Sequence, residues 1–248
     1  MLARDAIDGV EILRLEHGKA SALDLELCRA LSDALREAES RSGPLLLTGT
    51  GSIFSAGVDL FRVVDGGRAY IEQFLPALSG LFLRLFTMPR PVVAAINGHA
   101  IAGGCILACA CDYRIMGDGQ GRIGLPELTV GVPFPASAIE LLRSVIDPAR
   151  LHELLFIGRA YEAREAGAAG LVNEVVPSDR LMARALEVAR DLGSRPADSY
   201  RITKHFLRAP AADRIRAAEQ DTRELIDAWS SPATLETIRA YLARTLKK

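Results

Sequence analysis

A chain of 248 residues is long enough to bury a large hydrophobic core, either as one domain or as a domain with an appendage. Its 30 basic and 31 acidic residues leave a net charge of −1, so no overall attraction draws it to nucleic acid or to an anionic membrane, and neither partner is expected. Residues 1–18 carry charges instead of the apolar run of a secretory signal, and the most apolar stretch, 91–111, is interrupted by polar residues and glycines. The sequence therefore predicts a cytoplasmic protein without a membrane span.

Four cysteines offer no pattern for a metal site. Three of them lie within seven residues of one apolar segment, and His99 is the one histidine near them. Small apolar core residues are the interpretation that we favour for Cys28, Cys105, Cys109 and Cys111. The sequence also lacks a phosphate-binding or dinucleotide-binding glycine fingerprint, so neither a metal nor a redox cofactor is expected.

Strand and helix patterns alternate along the first 176 residues. Asp8-Gly9, between two alternating segments, predicts a β-hairpin with a type I′ turn, and Asp24 is a candidate N-cap for the first helix. In chain order, the predicted strands cover 3–7, 10–15, 45–47, 92–96, 113–116 and 171–176. The predicted helices cover 24–41, 68–86, 105–110, 136–145, 148–156 and 163–169.

A strand–strand–helix rhythm recurs at 3–41, 45–87, 92–111 and 113–145, and such alternation indicates a layered α/β core. The pattern after residue 177 is helical throughout. We predict breaks in it at Pro196, Pro210 and Pro232. The expected organisation is thus a core over residues 1–177 and a helical region over 178–248.

The chemistry is concentrated in the stretch 91–131. A buried strand ends at Asn97-Gly98, the pair Gly103-Gly104 opens an apolar helix, and two further strands lead to Glu127. Paired glycines at a helix start let a ligand approach the free N–H groups, where the helix dipole favours negative charge. An N–H donor and a carboxylate in apolar surroundings suggest enolate chemistry, in which the donor holds an oxyanion and the carboxylate moves a proton.

Each of these features also has a structural interpretation. Gly103-Gly104 can serve close helix packing alone, and Glu127 can be a surface carboxylate, although its neighbours are apolar and favour a raised pKa. A second glycine loop, 54–60, contains Gly57, where the backbone needs freedom, and Asp59, which is expected mainly as a helix N-cap.

Four motifs together resemble the crotonase (enoyl-CoA hydratase/isomerase) superfamily. They are FSAGVDL at 54–60, INGHAIAGGC at 96–105, CDYRI at 111–115 and GLPEL at 124–128, and the similarity extends over about residues 3 to 208. The resemblance implies an α/β fold in which ββα turns form a spiral followed by a C-terminal helical region that forms trimers or dimers of trimers. It also implies an acyl-CoA thioester as the substrate. The N–H groups of Val58 and Gly103 would then hold the thioester oxygen.

One departure from the family pattern points to the reaction. Hydratases of the family use two glutamates, whereas this chain has Ile106 at the first position and Glu127 at the second. It is similar in this to the Δ3,Δ2-enoyl-CoA isomerases, which implies that Glu127 moves the double bond of a 3-enoyl-CoA to the 2-position. The alternatives are a hydratase or another CoA-thioester activity, a CoA-binding protein without turnover, and an RNA-associated family member, against which the balanced charge argues.

The resemblance further implies contacts with the acyl-CoA. The residues expected to make them are Ala20, Ala22, Ala56, Asp59, Leu60, Ala102, Ile106, Pro126 and Lys204. A lysine such as Lys204 usually lies on a solvated helix face, but in the family it often lies near the CoA phosphates of a neighbouring subunit.

Overall fold

The computed structural model describes residues 1–220 and 222–245. The strands are β1 (Leu2–Ile7), β2 (Val10–Leu15), β3 (Leu45–Thr48), β4 (Ile53–Ser55), β5 (Val92–Ile96), β6 (His99–Ile101), β7 (Tyr113–Gly117), β8 (Arg122–Gly124), β9 (Ala160–Glu162) and β10 (Glu174–Val176). The helices are α1 (Leu25–Ala38), α2 (Leu60–Phe86), α3 (Gly103–Ala110), α4 (Glu127–Val130), α5 (Ala136–Val145), α6 (Pro148–Ile157), α7 (Ala163–Ala168), α8 (Leu181–Gly193), α9 (Ala197–Ala218), α10 (Arg223–Ser230) and α11 (Pro232–Thr245). A short 3₁₀ helix, Ser178–Arg180, precedes α8.

The strands form two sheets, and this arrangement confirms the predicted ββα spiral. The large sheet has the order β1-β2-β3-β5-β7-β10, in which β1 and β2 are antiparallel and the other pairs are parallel. The small sheet has the order β4-β6-β8-β9. After the first hairpin, successive turns of the chain place one strand in the large sheet and the next in the small sheet before a helix follows. The second strand that the rhythm requires in each turn is therefore supplied by β4, β6 and β8, of three residues each.

Both faces of the large sheet are covered, which explains the continuous apolar run of β5. Val92, Ala94 and Ile96 belong to the main core with α1, α2, α3 and α5, whereas Val93 and Ala95 pack against α8 on the opposite face. A strand buried on both faces has no polar side to alternate with. The first segment of the helical region is thus one layer of the core and not an appendage.

The hairpin turn is confirmed, because Asp8 and Gly9 both have positive φ, 50° and 79°, as a type I′ turn requires. The predicted N-cap role of Asp59 is confirmed, because its carboxylate accepts hydrogen bonds from the N–H groups of Phe61 and Arg62 and α2 begins at Leu60. The chain bends at Gly67 (φ 52°, ψ −148°), so α2 consists of two helical segments, and the second one corresponds to the helix predicted over 68–86.

The predicted break at Pro210 is wrong. Pro210 lies inside α9, and the helix continues to Ala218, since packing along α5 and α2 offsets the lost backbone hydrogen bond. Pro196 and Pro232 do stand at helix starts, as predicted. Residues 221 and 246–248 of the predicted helical region lie outside the described residues. No helix in the described parts of the chain is long and apolar enough to cross a membrane.

Candidate active site

The backbone N–H of Val58 is left without a partner by the local hydrogen-bond pattern. Leu23 and Val58 form an isolated parallel bridge, in which the N–H of Leu23 donates to the carbonyl of Gly57 (2.7 Å) and the N–H of Asp59 donates to the carbonyl of Leu23 (3.0 Å). These bonds use the groups that flank Val58. Within residues 1–220 and 222–245, no acceptor is bonded to the Val58 N–H. A backbone donor without a partner is available to a ligand oxygen.

The second backbone donor lies beside the first. Gly57 has φ 84°, and a Cβ at that position would stand 2.5 Å from the carbonyl oxygen of Ile101 and 3.2 Å from the nitrogen of Gly103. Only glycine permits this approach, which brings Val58 next to the start of α3. Because Gly103 is the first residue of α3, its N–H has no acceptor within the helix. Two N–H groups thus meet at the positive end of a helix dipole.

Ala102 holds a strained backbone conformation directly before Gly103. Its φ is 52° and its ψ is −123°, a region that residues with a Cβ rarely occupy. The N–H of Ala102 donates to the carbonyl of Gly124 at 2.8 Å, which ties this turn to β8. The strained conformation occurs where the chain passes from β6, which ends at Ile101, to α3, which begins at Gly103. This turn sets the direction of the Gly103 N–H.

Glu127 is a buried carboxyl without a hydrogen-bond partner. It is the first residue of α4, its side chain is 6% exposed, and neither of its oxygens is bonded to any other described side chain or backbone group. Burial raises the pKa of Glu127 to about 8, and its own backbone N–H opposes this rise in part. Buried polar atoms in proteins nearly always form hydrogen bonds. A buried carboxyl that lines a cavity without any such bond is therefore a candidate for interaction with a ligand.

A cavity of about 90 Å³ joins these groups. Its lining is apolar except for Glu127 and the side chains of Trp229 and Tyr241. Eight predicted site residues line it: Ala56, Val58, Leu60, Ala102, Gly103, Ile106, Pro126 and Glu127. Ile106, which the resemblance places at the position of the first hydratase glutamate, is 2% exposed and contributes hydrocarbon to the cavity lining.

Three predicted contact residues lie beside the cavity and not in its lining. Ala20 accepts a hydrogen bond from the N–H of Ala56 through its carbonyl (3.0 Å), and Ala22 immediately precedes the Leu23 bridge. Asp59 caps α2 through its carboxylate. These residues support the loop that carries Val58, so their structural role is visible, whereas their contact with a CoA moiety stays a prediction.

Lys204 does not lie on a solvated helix face, and its predicted contact with the CoA phosphates of a neighbouring subunit stays a prediction. The side chain is 7% exposed and not solvated, and its ammonium donates to Asp112 at 2.7 Å and to the carbonyl of Arg90 at 3.1 Å. Burial lowers the pKa of Lys204 to about 8, although the neighbouring Asp112 raises it in part. The same aspartate pairs with Arg208 at 2.8 Å. Lys204 therefore joins α9 to the start of β7, and it is absent from the cavity lining.

Sequence reasoning missed the other half of the cavity wall. The missed residues are Leu78, Phe82, Ile101, Val130, Val132, Pro135, Trp229 and Tyr241. Leu78 and Phe82 follow the helical period of α2, which identifies a buried face but not what that face contacts. Trp229 and Tyr241 come from α10 and α11, and only the return of the C-terminal helices over α2 and α4 places them here.

Known proteins with similar sequences belong to the family that the four motifs resemble. Residues 6–245 match the protein family described as Enoyl-CoA hydratase/isomerase. The protein named "Enoyl-CoA delta isomerase 1, mitochondrial" from Mus musculus is 31% identical over 245 residues, which are 97% of this chain and 85% of the relative. A putative enoyl-CoA hydratase from Thermus thermophilus is 38% identical over 196 residues, 77% of each chain.

The same family appears among solved structures. The crystal structure of human mitochondrial delta3-delta2-enoyl-CoA isomerase matches this fold with a TM-score of 0.95 at 27% identity, and the match covers 99% of this chain and 98% of that chain. With the spiral fold, the motif positions and a match along nearly the whole sequence, the chain belongs to the enoyl-CoA hydratase/isomerase family.

Proposed function

We propose that this protein is an enoyl-CoA isomerase that converts 3-enoyl-CoA thioesters into 2-enoyl-CoA thioesters. The observation that carries the proposal is the pairing of two available backbone donors with one unpartnered, desolvated carboxyl in the same apolar cavity. The isomerase names of the mouse relative and the human structure support it.

The proposed reaction needs one base and one oxyanion site. Ionised Glu127 removes a proton from C2 of the 3-enoyl thioester, and the electrons move into the thioester carbonyl to give a dienolate. The N–H groups of Val58 and Gly103 stabilise the oxyanion, which makes the C2 proton acidic enough to be removed. Glu127 then returns the same proton to C4, and the double bond becomes conjugated with the carbonyl. A dry cavity keeps that proton from exchanging with water. The reaction moves a proton and no net electrons, so it needs no redox cofactor.

Hydration of a 2-enoyl-CoA is the competing activity, and the Thermus thermophilus relative is named a hydratase. Addition of water requires a second polar group that orients the water at C3 while a proton is delivered to C2. Of the residues that the structure describes, Glu127 is the one carboxylate in the cavity lining, and Ile106 cannot hold water. This arrangement favours proton transfer from C2 to C4 over hydration.

The test is a parallel assay of 3-hexenoyl-CoA and 2-butenoyl-CoA, followed for conjugation and for addition of water. We expect rapid conjugation and slow hydration by the wild type. Glu127→Gln keeps the shape of the side chain and removes the base, so isomerisation should fall by a factor on the order of 10² to 10⁴. Glu187→Gln, on the exposed surface of α8, serves as the control and should keep full activity.

Each contrary outcome of this assay has a defined meaning. Rapid hydration by the wild type would make the protein a hydratase. Tight thioester binding without any turnover would make it a non-catalytic CoA-binding protein. An active Glu127→Gln variant would remove Glu127 from the reaction.

A trimer or hexamer is the assembly that we propose, because α9 exposes apolar side chains that one subunit leaves uncovered. Phe206 and Leu207 are 72% and 74% exposed, whereas Leu181 and Trp229 of the same helical region are buried within the subunit. Light scattering at micromolar concentration tests this, and a monomer would contradict it. The cytoplasmic location is likewise a proposal, which cell fractionation tests.

A further inference from the structure

The cavity has an open end and a closed end. Ala56 is exposed, and Val58, Leu60 and Ala102 are partly exposed, so ligand enters past the two N–H donors. In contrast, Phe82, Val132, Pro135 and Trp229, which also line the cavity, are buried and form its closed end. A thioester held at the donors with its CoA moiety toward solvent therefore has its acyl chain directed at the closed end.

Trp229 is a fixed part of the closed end. Its side chain is 2% exposed, and its indole N–H donates to the carbonyl of Pro133 at 3.0 Å. The polar atom of the indole is thereby satisfied, and its apolar rings contribute to the cavity wall. A hydrogen-bonded tryptophan has less freedom to move aside than an aliphatic side chain would have.

A second space lies behind this wall. A groove of about 310 Å³ is lined by Phe134, Leu225 and Ala228, and also by the carboxyl-bearing residues Glu219 and Glu224. Pro133 lines the groove, and Pro135 lines both the groove and the catalytic cavity. Trp229, which follows Ala228 and is bonded to Pro133, thus lies at the partition between the two spaces.

The volume of the cavity limits the length of the chain that it can hold. A buried cavity of about 150 Å³ is known to hold a benzene ring of six carbons, so about 90 Å³ corresponds to roughly four carbons. The thioester carbonyl and C2 lie at the donors and the base, toward the mouth. Because the donors and Glu127 line the same cavity, these atoms are part of that count, and the cavity suits short acyl chains of about four to six carbons.

We propose that Trp229 is a specificity-determining residue that restricts the enzyme to short-chain enoyl thioesters, because its indole closes the acyl end of the cavity against the groove behind it. The proposal rests on the proposed function, since it assigns the acyl chain of the same substrate. It predicts that a smaller residue at position 229 joins the two spaces and admits longer chains.

The experiment measures kcat/KM for 3-hexenoyl-, 3-octenoyl- and 3-decenoyl-CoA with the wild type, Trp229→Ala and Trp229→Phe. For the wild type we expect kcat/KM to fall at least roughly tenfold between the six-carbon and the ten-carbon substrate, as pocket discrimination between chain lengths allows. In Trp229→Ala this ratio should shrink to about threefold or less, because the wall is removed. Trp229→Phe is the matched control, which keeps an aromatic wall and should keep the preference for short chains.

Binding separates failure of this proposal from failure of the proposed function. The affinities of butanoyl-, hexanoyl- and decanoyl-CoA, measured by calorimetry, do not depend on turnover. Wild-type affinity that falls with chain length and recovers in Trp229→Ala supports the chain-length limit even if no isomerisation is detected. Equal or rising wild-type affinity up to decanoyl-CoA overturns the limit, as does an unchanged chain-length profile in Trp229→Ala.

If Trp229→Ala does not fold, Trp229→Leu replaces it in both measurements. It should shift the profile toward longer chains in the same direction, and an unchanged profile overturns the proposal.

Discussion

The burial of Glu127 has a consequence for stability that can be measured without any substrate. Its pKa in the folded protein is about 8, against an ordinary glutamate value of 4.5, because the ionised form is desolvated. The folded protein therefore holds its proton at pH values where the unfolded chain has lost it. Stability associated with this group is fully present below pH 4.5 and is lost as the pH rises to about 8.

The size of this effect follows from the two pKa values. At about 1.4 kcal/mol per pKa unit, the cost of burying Glu127 is about 1 kcal/mol at pH 5, about 3 kcal/mol at pH 7 and roughly 5 kcal/mol at pH 9. Glu127→Gln is neutral at every pH and has nearly the same shape. We therefore expect the variant to match the wild type within about 1 kcal/mol near pH 4.5 and to exceed its unfolding free energy increasingly above that pH.

Urea denaturation of both proteins at pH 5, 7 and 9, at one fixed protein concentration, measures this difference. The subtraction cancels every other titrating group. Glu187→Gln, a change at an exposed glutamate of α8, should show no such trend. A difference between Glu127→Gln and the wild type that is the same at pH 5 and pH 9 would refute the reasoning, because it would mean that the carboxyl ionises as freely in the folded protein as in the unfolded chain.

Three further predictions concern the reaction and its oxyanion site. The kcat/KM of isomerisation should rise about tenfold per pH unit up to a pH of about 8 and then level, because only ionised Glu127 accepts a proton; a flat profile between pH 6 and 8 would contradict this. Gly103→Val should reduce turnover on the order of 100-fold, since a Cβ there stands 2.8 Å from the Cδ1 of Leu23; unchanged kinetics in the folded variant would exclude the Gly103 N–H from the site. Ala102→Gly should raise the unfolding free energy by about 1 kcal/mol in urea denaturation by relieving the backbone at φ 52°, whereas the control Ala108→Gly inside α3 should lower it by a similar amount.

The sequence predicts those parts of the site that depend on local backbone geometry. Glycines that permit a close approach of two backbone segments can be recognised in a sequence, because few other residues fit at such points. Gly57 and Gly103 both lie at such points. Glu127 is also predictable as a site residue, because its apolar neighbours in the sequence predict a carboxyl that is shielded from water. By contrast, the strained conformation of Ala102 could not be predicted, because alanine is not a residue type that indicates a positive φ.

Lys204 shows the limit of a motif. A lysine at such a helix position usually lies on a solvated face, but the fold turns the side chain inward to Asp112, which is 92 residues away along the chain. Pro210 shows the same limit for secondary structure, since tertiary packing keeps α9 continuous where the local preference of proline predicts a break.

The sequence by itself determined the alternation of strands and helices, the hairpin at Asp8-Gly9, the two glycine turns and one candidate base, Glu127, among apolar neighbours. Each of these features depends on residues that are close together in the sequence, so short-range sterics and hydrophobic periodicity are enough to predict it. Only the tertiary structure decided that the Val58 and Gly103 N–H groups lie together and that Glu127 has no partner. It also decided that Trp229 lines the cavity, because this requires α10 (Arg223–Ser230) to pack back on α2 (Leu60–Phe86), a contact that no local pattern contains.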